Sequence, residues 1–462
     1  MHRSPLAVAC LFLLVAPAAA EVKLPAFFSE GVVLQRDREA PVWGTAAAGA
    51  TVTVALDGQT KSVQAAADGR WRVDLPPHKA GGPHVLRVTE GSNPPVEIGD
   101  VQFGEVWIAS GQSNMHWTFS HDIRDKEREL DAARDPLLRQ FTVAKARAYV
   151  RRGEPNVPET DAAGKWYGAS REGLLAGGED GASALAYFFG RTLRKELDVP
   201  VGIFNASVGG SPIEAWIPGG SLFNKMIHPL APFAFRGVIW YQGEANIVAA
   251  GVGYVDLTQK QVAAWRALWN QGDFPYYYVQ LAPFIHSTRP NSKAPWYALP
   301  AFWEAQTAIQ RTVPTSGMVV VNDLAPDVTN IHPPNKQDVG LRLARLALAK
   351  DYGRPDVIYS GPMFREAKIT GDAIRVEFDH VHGGLASRDG KPLTHFLIAG
   401  DDRKFVPAEA VIDGTAVVVR SPAVPLPAAV RFAWTDTATP NLMNKEGVPA
   451  NSFRSDTWRL EQ

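Results

Sequence analysis

The chain has 462 residues, of which 45% are hydrophobic and 21% charged, and its formal net charge is −1. This composition supplies ample apolar side chain for packed cores and excludes a largely disordered or collagen-like chain. The near balance of 47 Lys and Arg against 48 Asp and Glu argues against a nucleic-acid binder that relies on a basic field.

The first twenty residues have the pattern of a secretory signal peptide. A short basic start is followed by an apolar run over residues 6–15 and by a small-residue cleavage site that ends at Ala20. The run is too short to cross a bilayer, and no later stretch approaches about 20 apolar residues. We therefore predict a secreted or periplasmic protein without membrane contact. The only cysteine, Cys10, lies in this segment, so the mature chain should have neither disulfides nor a catalytic thiolate. A lipid anchor at Cys10 is the alternative.

The next part of the chain, residues 21–98, predicts a small β-sandwich domain. Asp57-Gly58 is a hairpin signal, and a linker is predicted at 92–95. Apolar and polar residues alternate, as they do in half-buried strands, over residues 50–56, 69–75 and 84–88.

Residues 99–355 predict an α/β domain with a mostly parallel sheet, because apolar runs alternate with helix-spaced apolar positions. Its ligand site should lie at the carboxyl ends of the strands. The candidate strands cover residues 105–109, 200–205, 237–241, 276–281 and 317–321, and the candidate helices cover 183–197, 257–269 and 336–350.

The last part, residues 356–462, favours strands again and predicts a C-terminal β domain. Residues 374–378 alternate, and Asp413-Gly414 marks a second hairpin. His380 and His382 resemble a metal-binding pair, but no third ligand is evident, so we expect no metal.

Four segments place polar residues directly after predicted strands. Ser113 stands at a strand-to-helix turn, where a hydroxyl is well placed as a nucleophile and the helix N-terminus favours developing negative charge. Residues 205–211 contain paired glycines that allow a backbone N–H to point into a pocket. Gln242 can donate to an oxyanion, and His332 follows the last strand. Taken singly, each segment also fits an ordinary loop or a structural histidine.

In combination, these segments resemble the SGNH hydrolases, and more narrowly the sialate O-acetylesterase family of carbohydrate esterases. The resemblance extends over about 99–355, and the flanking β regions also match the family's multidomain bacterial members. It implies a three-layer SGNH-type sandwich between N-terminal and C-terminal β-sandwich domains. The motifs that carry it are Glu105-Val-Trp-Ile-Ala-Ser-Gly-Gln-Ser-Asn-Met, Gly209-Gly-Ser-Pro-Ile-Glu-Ala-Trp-Ile, Gly237-Val-Ile-Trp-Tyr-Gln-Gly-Glu-Ala-Asn and Ile331-His-Pro-Pro-Asn-Lys.

The resemblance implies a serine esterase that removes acetyl groups from sugars. Ser113 would attack the acetyl carbonyl, and His332 would take its proton and pass it to the departing sugar hydroxyl. The oxyanion would be held by the Ser113 N–H, the Gly210 N–H and the Gln242 side chain. We expect substrate contacts from Asn114, Glu244, Asn246 and Trp303.

Two departures from the family pattern affect these roles. SGNH enzymes commonly carry Asp three residues before the catalytic His, and this chain has Thr329 there. Asp327 is our first candidate for the acidic member. Asp323, Glu244 and a dyad supported by a backbone carbonyl are the alternatives.

The second departure is Trp303, which stands where the family often has Arg. Loss of that Arg would weaken recognition of sialic acid in particular, and Trp would add a stacking face. Acetylated plant oligosaccharides, such as those of xyloglucan or xylan, remain open as substrates.

The leading hypothesis is therefore a secreted carbohydrate O-acetylesterase that acts on an acetylated carbohydrate without a cofactor. The alternatives are a non-catalytic carbohydrate-binding protein on the same fold, and an SGNH lipase or general esterase. The presence of both Ser113 and His332 argues against a pure binder. The flanking β domains and the 13 Trp residues favour sugars over acyl chains.

Overall fold

The computed structural model describes residues 22–145 and 156–460. The predicted signal peptide, residues 1–20, and Cys10 within it lie outside the described residues. Within the described ranges, none of the helices combines the length and apolar character needed to cross a membrane.

Strands and α-helices follow one another along the chain in the order below. The strands are β1 (Val33–Gln35), β2 (Ala40–Thr45), β3 (Thr51–Leu56), β4 (Gln59–Gln64), β5 (Arg70–Leu75), β6 (Gly81–Glu90), β7 (Val96–Gly111), β8 (Arg134–Val143), β9 (Gly164–Ser170), β10 (Val201–Ser207), β11 (Gly237–Tyr241), β12 (Tyr276–Val279), β13 (Ser316–Val319), β14 (Met363–Thr370), β15 (Ala373–Asp379), β16 (Leu385–Ser387), β17 (Phe396–Ala399), β18 (Val406–Pro407), β19 (Glu409–Asp413), β20 (Ala416–Arg420), β21 (Ala429–Phe432), β22 (Leu442–Asn444) and β23 (Phe453–Arg454). The helices are α1 (Ser113–His116), α2 (Lys126–Ala132), α3 (Arg171–Leu175), α4 (Ala184–Leu197), α5 (Tyr254–Trp269), α6 (Ala298–Thr312) and α7 (Lys336–Asp351).

A mostly parallel sheet lies at the centre of the molecule, as predicted. Its strand order is β13-β12-β11-β7-β10-β8-β9, and of these neighbours only β8 and β9 pair antiparallel. Strands β10, β11 and β12 are buried along their whole length, which explains their continuous apolar runs. Helix α4 packs against α7, and α5 packs against α6.

Strand β7 belongs both to the N-terminal β region and to the central sheet. Its first part pairs with β6 and β1, its last seven residues pair with β10, and the last five of these also pair with β11. The predicted boundary between 98 and 99 therefore falls inside one continuous strand. One hydrophobic core extends from the N-terminal strands into the helices of the α/β region.

The region after α7 forms additional antiparallel sheets around a second core. The sheet orders are β14-β15-β20-β19, β18-β17-β21-β23 and β16-β22. Ion pairs and hydrogen bonds join this region to the α/β region, among them Arg454 to Glu304 and Ser287 to Asp436. The prediction of strands over 356–462 is confirmed; a sandwich arrangement of these sheets stays a prediction.

Candidate active site

Three neighbouring strands of the central sheet end at the same level. Gly111, the last residue of β7, is paired with Ser207 of β10 and with Tyr241 of β11. Gly111 has a φ of 131°, and a Cβ at this position would lie 2.2 Å from the carbonyl oxygen of Tyr241, so only glycine fits. The next residue, Gln112, donates its N–H to the same carbonyl at 2.9 Å. The turn that leads to Ser113 is thereby fixed against β11.

Ser113 and His332 meet at this edge of the sheet although they are 219 positions apart. The Oγ of Ser113, the first residue of α1, lies 2.8 Å from the Nε2 of His332. Both residues are half-buried, so a substrate has access to them. The main-chain N–H of His332 donates to the Asn330 Oδ1 at 2.9 Å, which fixes the loop that carries the imidazole. A serine hydroxyl hydrogen-bonded to an imidazole is the arrangement of an activated nucleophile and its general base.

Trp117 supports the imidazole from one side. Its ring centroid lies 4.0 Å from that of His332, at an interplanar angle of 21°, and His121 stacks on Trp117 at 4.0 Å and 25°. Sequence reasoning missed Trp117. The signal was its spacing of four residues from Ser113 across a short helix, since residues i and i+4 share a helix face.

A buried polar network lies behind the Ser113–His332 pair. The Asn114 Nδ2 donates to the Glu244 Oε1 at 2.6 Å and to the carbonyl of Ile331 at 3.0 Å, and the Lys336 Nζ donates to the Asn114 Oδ1 at 2.6 Å. Ile331 directly precedes His332. The Asn114 side chain therefore ties the residue after the serine to the residue before the histidine. Lys336 was also missed; it stands four residues after His332, at the start of α7.

Burial and charge alter the protonation of these groups. Burial, and then the positive charge of Lys336, lower the pKa of His332 from 6.5 to about 4. Burial lowers the pKa of Lys336 to about 7, although Glu244 opposes this shift. Burial raises the pKa of Glu244, while the hydrogen bond from Asn114 partly offsets that increase. The imidazole is therefore neutral at pH 7 and able to accept a proton.

The predicted glycine loop lies beside the serine. A Cβ at Gly209 would be 3.6 Å from the Cβ of Ser113, so the loop packs closely against it. Gly210 has a φ of 71°, in the left-handed region that favours glycine. Among the described residues no hydrogen bond uses the N–H groups of Gly209 or Gly210. The Ser113 N–H, at the first position of α1, has no partner within its helix.

Gln242 does not offer the free donor that the sequence suggested. Its Nε2 donates to the carbonyl of Ser211 at 3.1 Å and to the Asn246 Oδ1 at 2.7 Å, and its Oε1 accepts from the Tyr254 hydroxyl at 2.8 Å. The carbonyl of Ser211 can only accept, which fixes the orientation of the amide. Both N–H groups are thus committed, and Gln242 anchors the residue that follows Gly210.

The structure brings none of the three acidic candidates into contact with His332. Asp327 is exposed, and its Oδ1 accepts from the Thr329 N–H at 2.8 Å and from the Thr329 hydroxyl at 2.6 Å, which lowers the pKa of Asp327. Both oxygens of Asp323 accept from Arg342, at 2.7 and 2.6 Å. Glu244 reaches the histidine loop only through Asn114. Among the described residues, the side chain of His332 hydrogen-bonds to Ser113 alone.

The expected substrate contacts are also placed differently from the prediction. Trp303 is 1% exposed and donates to the carbonyl of Leu281, so it offers no stacking face. Asn114 is 1% exposed and fully engaged in the network described above. Asn246 accepts from Gln242 and donates to the Glu214 Oε2 at 2.9 Å. Asn246, like Gln242, therefore supports the glycine loop.

Metal ligands do not gather at this edge of the sheet in the described part of the chain. The one group of three potential ligands that the described residues form is Asp57, His78 and His84, in the N-terminal β region.

Comparisons with known proteins identify the family of the chain. A sequence model of the family described as "Carbohydrate esterase, sialic acid-specific acetylesterase" matches residues 103–349. The solved structure of a carbohydrate acetylesterase from Xanthomonas citri is 38% identical, with a TM-score of 0.86, and the match covers 95% of this chain and 100% of that chain. Sialate O-acetylesterase from Homo sapiens is 28% identical, with 89% of this chain and 87% of the relative covered. The Rattus norvegicus sialate O-acetylesterase is 26% identical, with 89% of each covered.

The chain is a carboxylic ester hydrolase. It belongs to the sialic acid-specific acetylesterase family of carbohydrate esterases, as its sequence motifs predicted.

Proposed function

We propose that this protein is a secreted esterase that removes acetyl groups from sugars by a Ser113–His332 mechanism. The observation that carries the proposal is the 2.8 Å contact between the Ser113 Oγ and the His332 Nε2. Because burial and Lys336 keep His332 neutral, the imidazole is ready to act as a base at neutral pH.

In the first half of the reaction, the Ser113 Oγ attacks the acetyl carbonyl carbon while the His332 Nε2 takes the hydroxyl proton. The tetrahedral intermediate collapses, the bond to the sugar oxygen breaks, and His332 returns the proton to that oxygen. In the second half, His332 takes a proton from water, whose oxygen attacks the acetyl-serine. Collapse then breaks the bond to the Ser113 Oγ, which takes the proton back from His332, and the released acetic acid ionises to acetate.

The oxyanion would be stabilised by main-chain donors beside the serine. The N–H groups of Ser113 and Gly210 carry this role in the proposal, and Gly209 packs against Ser113. Gln242 acts indirectly. Its side-chain amide donates to the carbonyl of Ser211, and this hydrogen bond holds the adjacent glycine loop in place.

His332 is oriented without a carboxylate in this proposal. Stacking on Trp117 fixes the plane of the ring, and the bond from Asn114 to Ile331 fixes the backbone that carries it. The pair works as a dyad. The sequence left open a dyad supported by a backbone carbonyl, whereas the dyad proposed here is supported by the Trp117 ring.

Two classes of acetylated carbohydrate are candidate substrates. The mammalian relatives carry the name sialate O-acetylesterase, and the Xanthomonas citri protein is a carbohydrate acetylesterase. We therefore propose that acetylated sialic acid and acetylated xyloglucan or xylan fragments are the substrates to compare.

The test is acetate release from a panel of these acetylated sugars and of long-chain acyl esters. Wild type should release acetate from at least one sugar, and Ser113→Ala and His332→Gln should each lose at least about 10³-fold in kcat. Ser120→Ala is the matched control, because the Ser120 Oγ bonds to Thr118 and not to His332. Equally negligible acetate release by wild type and all variants would favour a carbohydrate-binding protein. A preference of wild type for long-chain acyl esters would favour a lipase.

A further inference from the structure

Two histidines and one aspartate meet in the N-terminal β region, away from the proposed catalytic groups. Asp57 occupies the hairpin turn between β3 and β4 with a φ of 50°. His78 lies in the loop that follows β5, and His84 lies in β6. Three separate chain segments thus contribute one side chain each.

The ligating atoms of these side chains converge. The His84 Nδ1 lies 2.8 Å from each oxygen of the Asp57 carboxylate, and the His78 Nε2 lies 2.9 Å from its Oδ2. The three side chains offer donor atoms that all lie within 4.8 Å of one another. Two imidazole nitrogens and a carboxylate oxygen form a donor set that zinc and neighbouring transition metals prefer, whereas calcium and magnesium prefer oxygen alone.

The second nitrogen of His78 shows which of its nitrogens carries a proton. The His78 Nδ1 lies 2.9 Å from the carbonyl oxygen of Lys79, which can only accept, so Nδ1 carries the hydrogen. In a neutral ring the Nε2 then presents a lone pair to the Asp57 carboxylate. The Nε2, on the Asp57 side, is therefore the nitrogen of His78 that would bind a metal ion. Metal-bound histidines commonly donate their other N–H to a backbone carbonyl in this way.

Packing holds the two imidazoles in place. The His78 ring stacks on Phe103 with centroids 4.3 Å apart and planes at 13°, and the His84 ring meets the same phenyl group edge-on at 5.7 Å. The His84 side chain is 16% exposed and that of His78 30% exposed, so the cluster is open to solvent on one side. That opening leaves room for water as a further ligand.

We propose that Asp57, His78 and His84 bind a divalent transition-metal ion of the zinc class, with water completing the coordination. The ion joins the β3–β4 hairpin to the loop after β5 and to β6, so it stabilises the N-terminal β region. It takes no part in ester hydrolysis, and this proposal stands apart from the proposed mechanism.

The test uses the full chain after treatment with EDTA and dialysis. Titration with ZnCl₂ in a calorimeter should show one saturable equivalent, and CoCl₂ should give a visible d–d spectrum. His78→Gln and His84→Gln should each weaken Zn²⁺ binding more than about tenfold, since even residues that only orient a ligand are worth ~10–100-fold. Zn²⁺ should raise the Tm of wild type but not of these variants.

The matched control is the double variant His380→Gln/His382→Gln, which removes a second histidine pair, with ring centroids 5.9 Å apart. It should bind Zn²⁺ like wild type. Asp57→Asn removes the carboxylate but keeps a residue that tolerates the left-handed turn. Weaker Zn²⁺ binding by this variant would therefore not result from a failure to fold. Absence of saturable Zn²⁺ binding by wild type would overturn the proposal, as would binding that survives in the His78 and His84 variants and disappears in the control.

Discussion

The indole of Trp117 covers one face of the His332 imidazole, with ring centroids 4.0 Å apart and planes at 21°. Because the side chain of His332 hydrogen-bonds only to Ser113 among the described residues, this stacking and the tethered backbone are what orient the ring. In the proposed mechanism, this aromatic surface takes the place of the carboxylate that commonly orients a catalytic histidine.

Replacement of Trp117 should therefore impair catalysis more than binding. Trp117→Leu should lower kcat about two- to tenfold, because an aromatic contact is worth about 0.5–1.5 kcal/mol, while KM changes little. Trp117→Phe retains a stacking face and should recover most of the rate. Steady-state acetate release from the best sugar substrate provides the measurement. Equal rates for the Leu and Phe variants would show that stacking does not orient His332.

Removal of the Asp327 carboxylate should have little effect. Asp327→Asn should keep kcat within about twofold of wild type, because its carboxylate caps Thr329 and does not contact His332. An aspartate that oriented the base would instead cost up to about 10⁴-fold on conversion to asparagine. The comparison needs kcat at saturating substrate, and a loss of that size would restore Asp327 to the catalytic machinery.

The acid side of the pH profile should lie unusually low. His332 must be neutral to accept the serine proton, so kcat/KM should rise with pH through a midpoint of about 4 in place of the usual 6.5. Lys336 is protonated in that range because its own pKa is about 7. Lys336→Gln removes a charge that opposes the imidazolium, and it should move the midpoint upward. A midpoint near 6.5 in wild type, unchanged in the variant, would contradict this electrostatic account.

Gln242 offers a test between two roles. Gln242→Leu leaves the Ser211 carbonyl without its donor and removes one of the two donors to the Asn246 Oδ1, which keeps the Ile213 N–H, so the free energy of unfolding should fall by about 1–3 kcal/mol along with kcat. Denaturant unfolding and kcat are measured on the same preparation. A fully stable variant that loses about 10²–10³-fold in kcat would instead mark Gln242 as an oxyanion donor.

The sequence predicted the mostly parallel central sheet and singled out Ser113 and His332, but it did not predict that β7 continues across the boundary at 98 and 99. The predicted strands 105–109, 200–205 and 237–241 end within two residues of the ends of β7, β10 and β11, whose carboxyl ends bring Ser113 beside the glycine loop. His332 follows from chain order and the family resemblance. The stacking of Trp117 did not follow, because ring orientation depends on tertiary packing that local patterns do not encode.

The same limit explains two predictions that the structure does not support: that Trp303 stacks against the substrate, and that Gln242 donates to the oxyanion. Residue type shows what a side chain is able to donate, but only the fold shows which acceptors surround it. Gln242 faces two acceptors and a tyrosine hydroxyl that come from three other segments of the chain. The Asp57–His78–His84 cluster was hidden for the same reason, since its members are spread over 28 positions of unremarkable sequence.

The continuity of β7 has a consequence for the modular use of this protein. A fragment that begins at residue 99 would leave residues 99–104 of β7 without their partners β6 and β1, and this unpaired edge would belong to the same strand that ends at Gly111, before the serine turn. The amino-terminal region therefore cannot be removed or exchanged without affecting the central sheet. If the amino-terminal strands unfold locally, the disturbance should reach Ser113 through β7. Loss of activity and local unfolding of the amino-terminal region should therefore occur together.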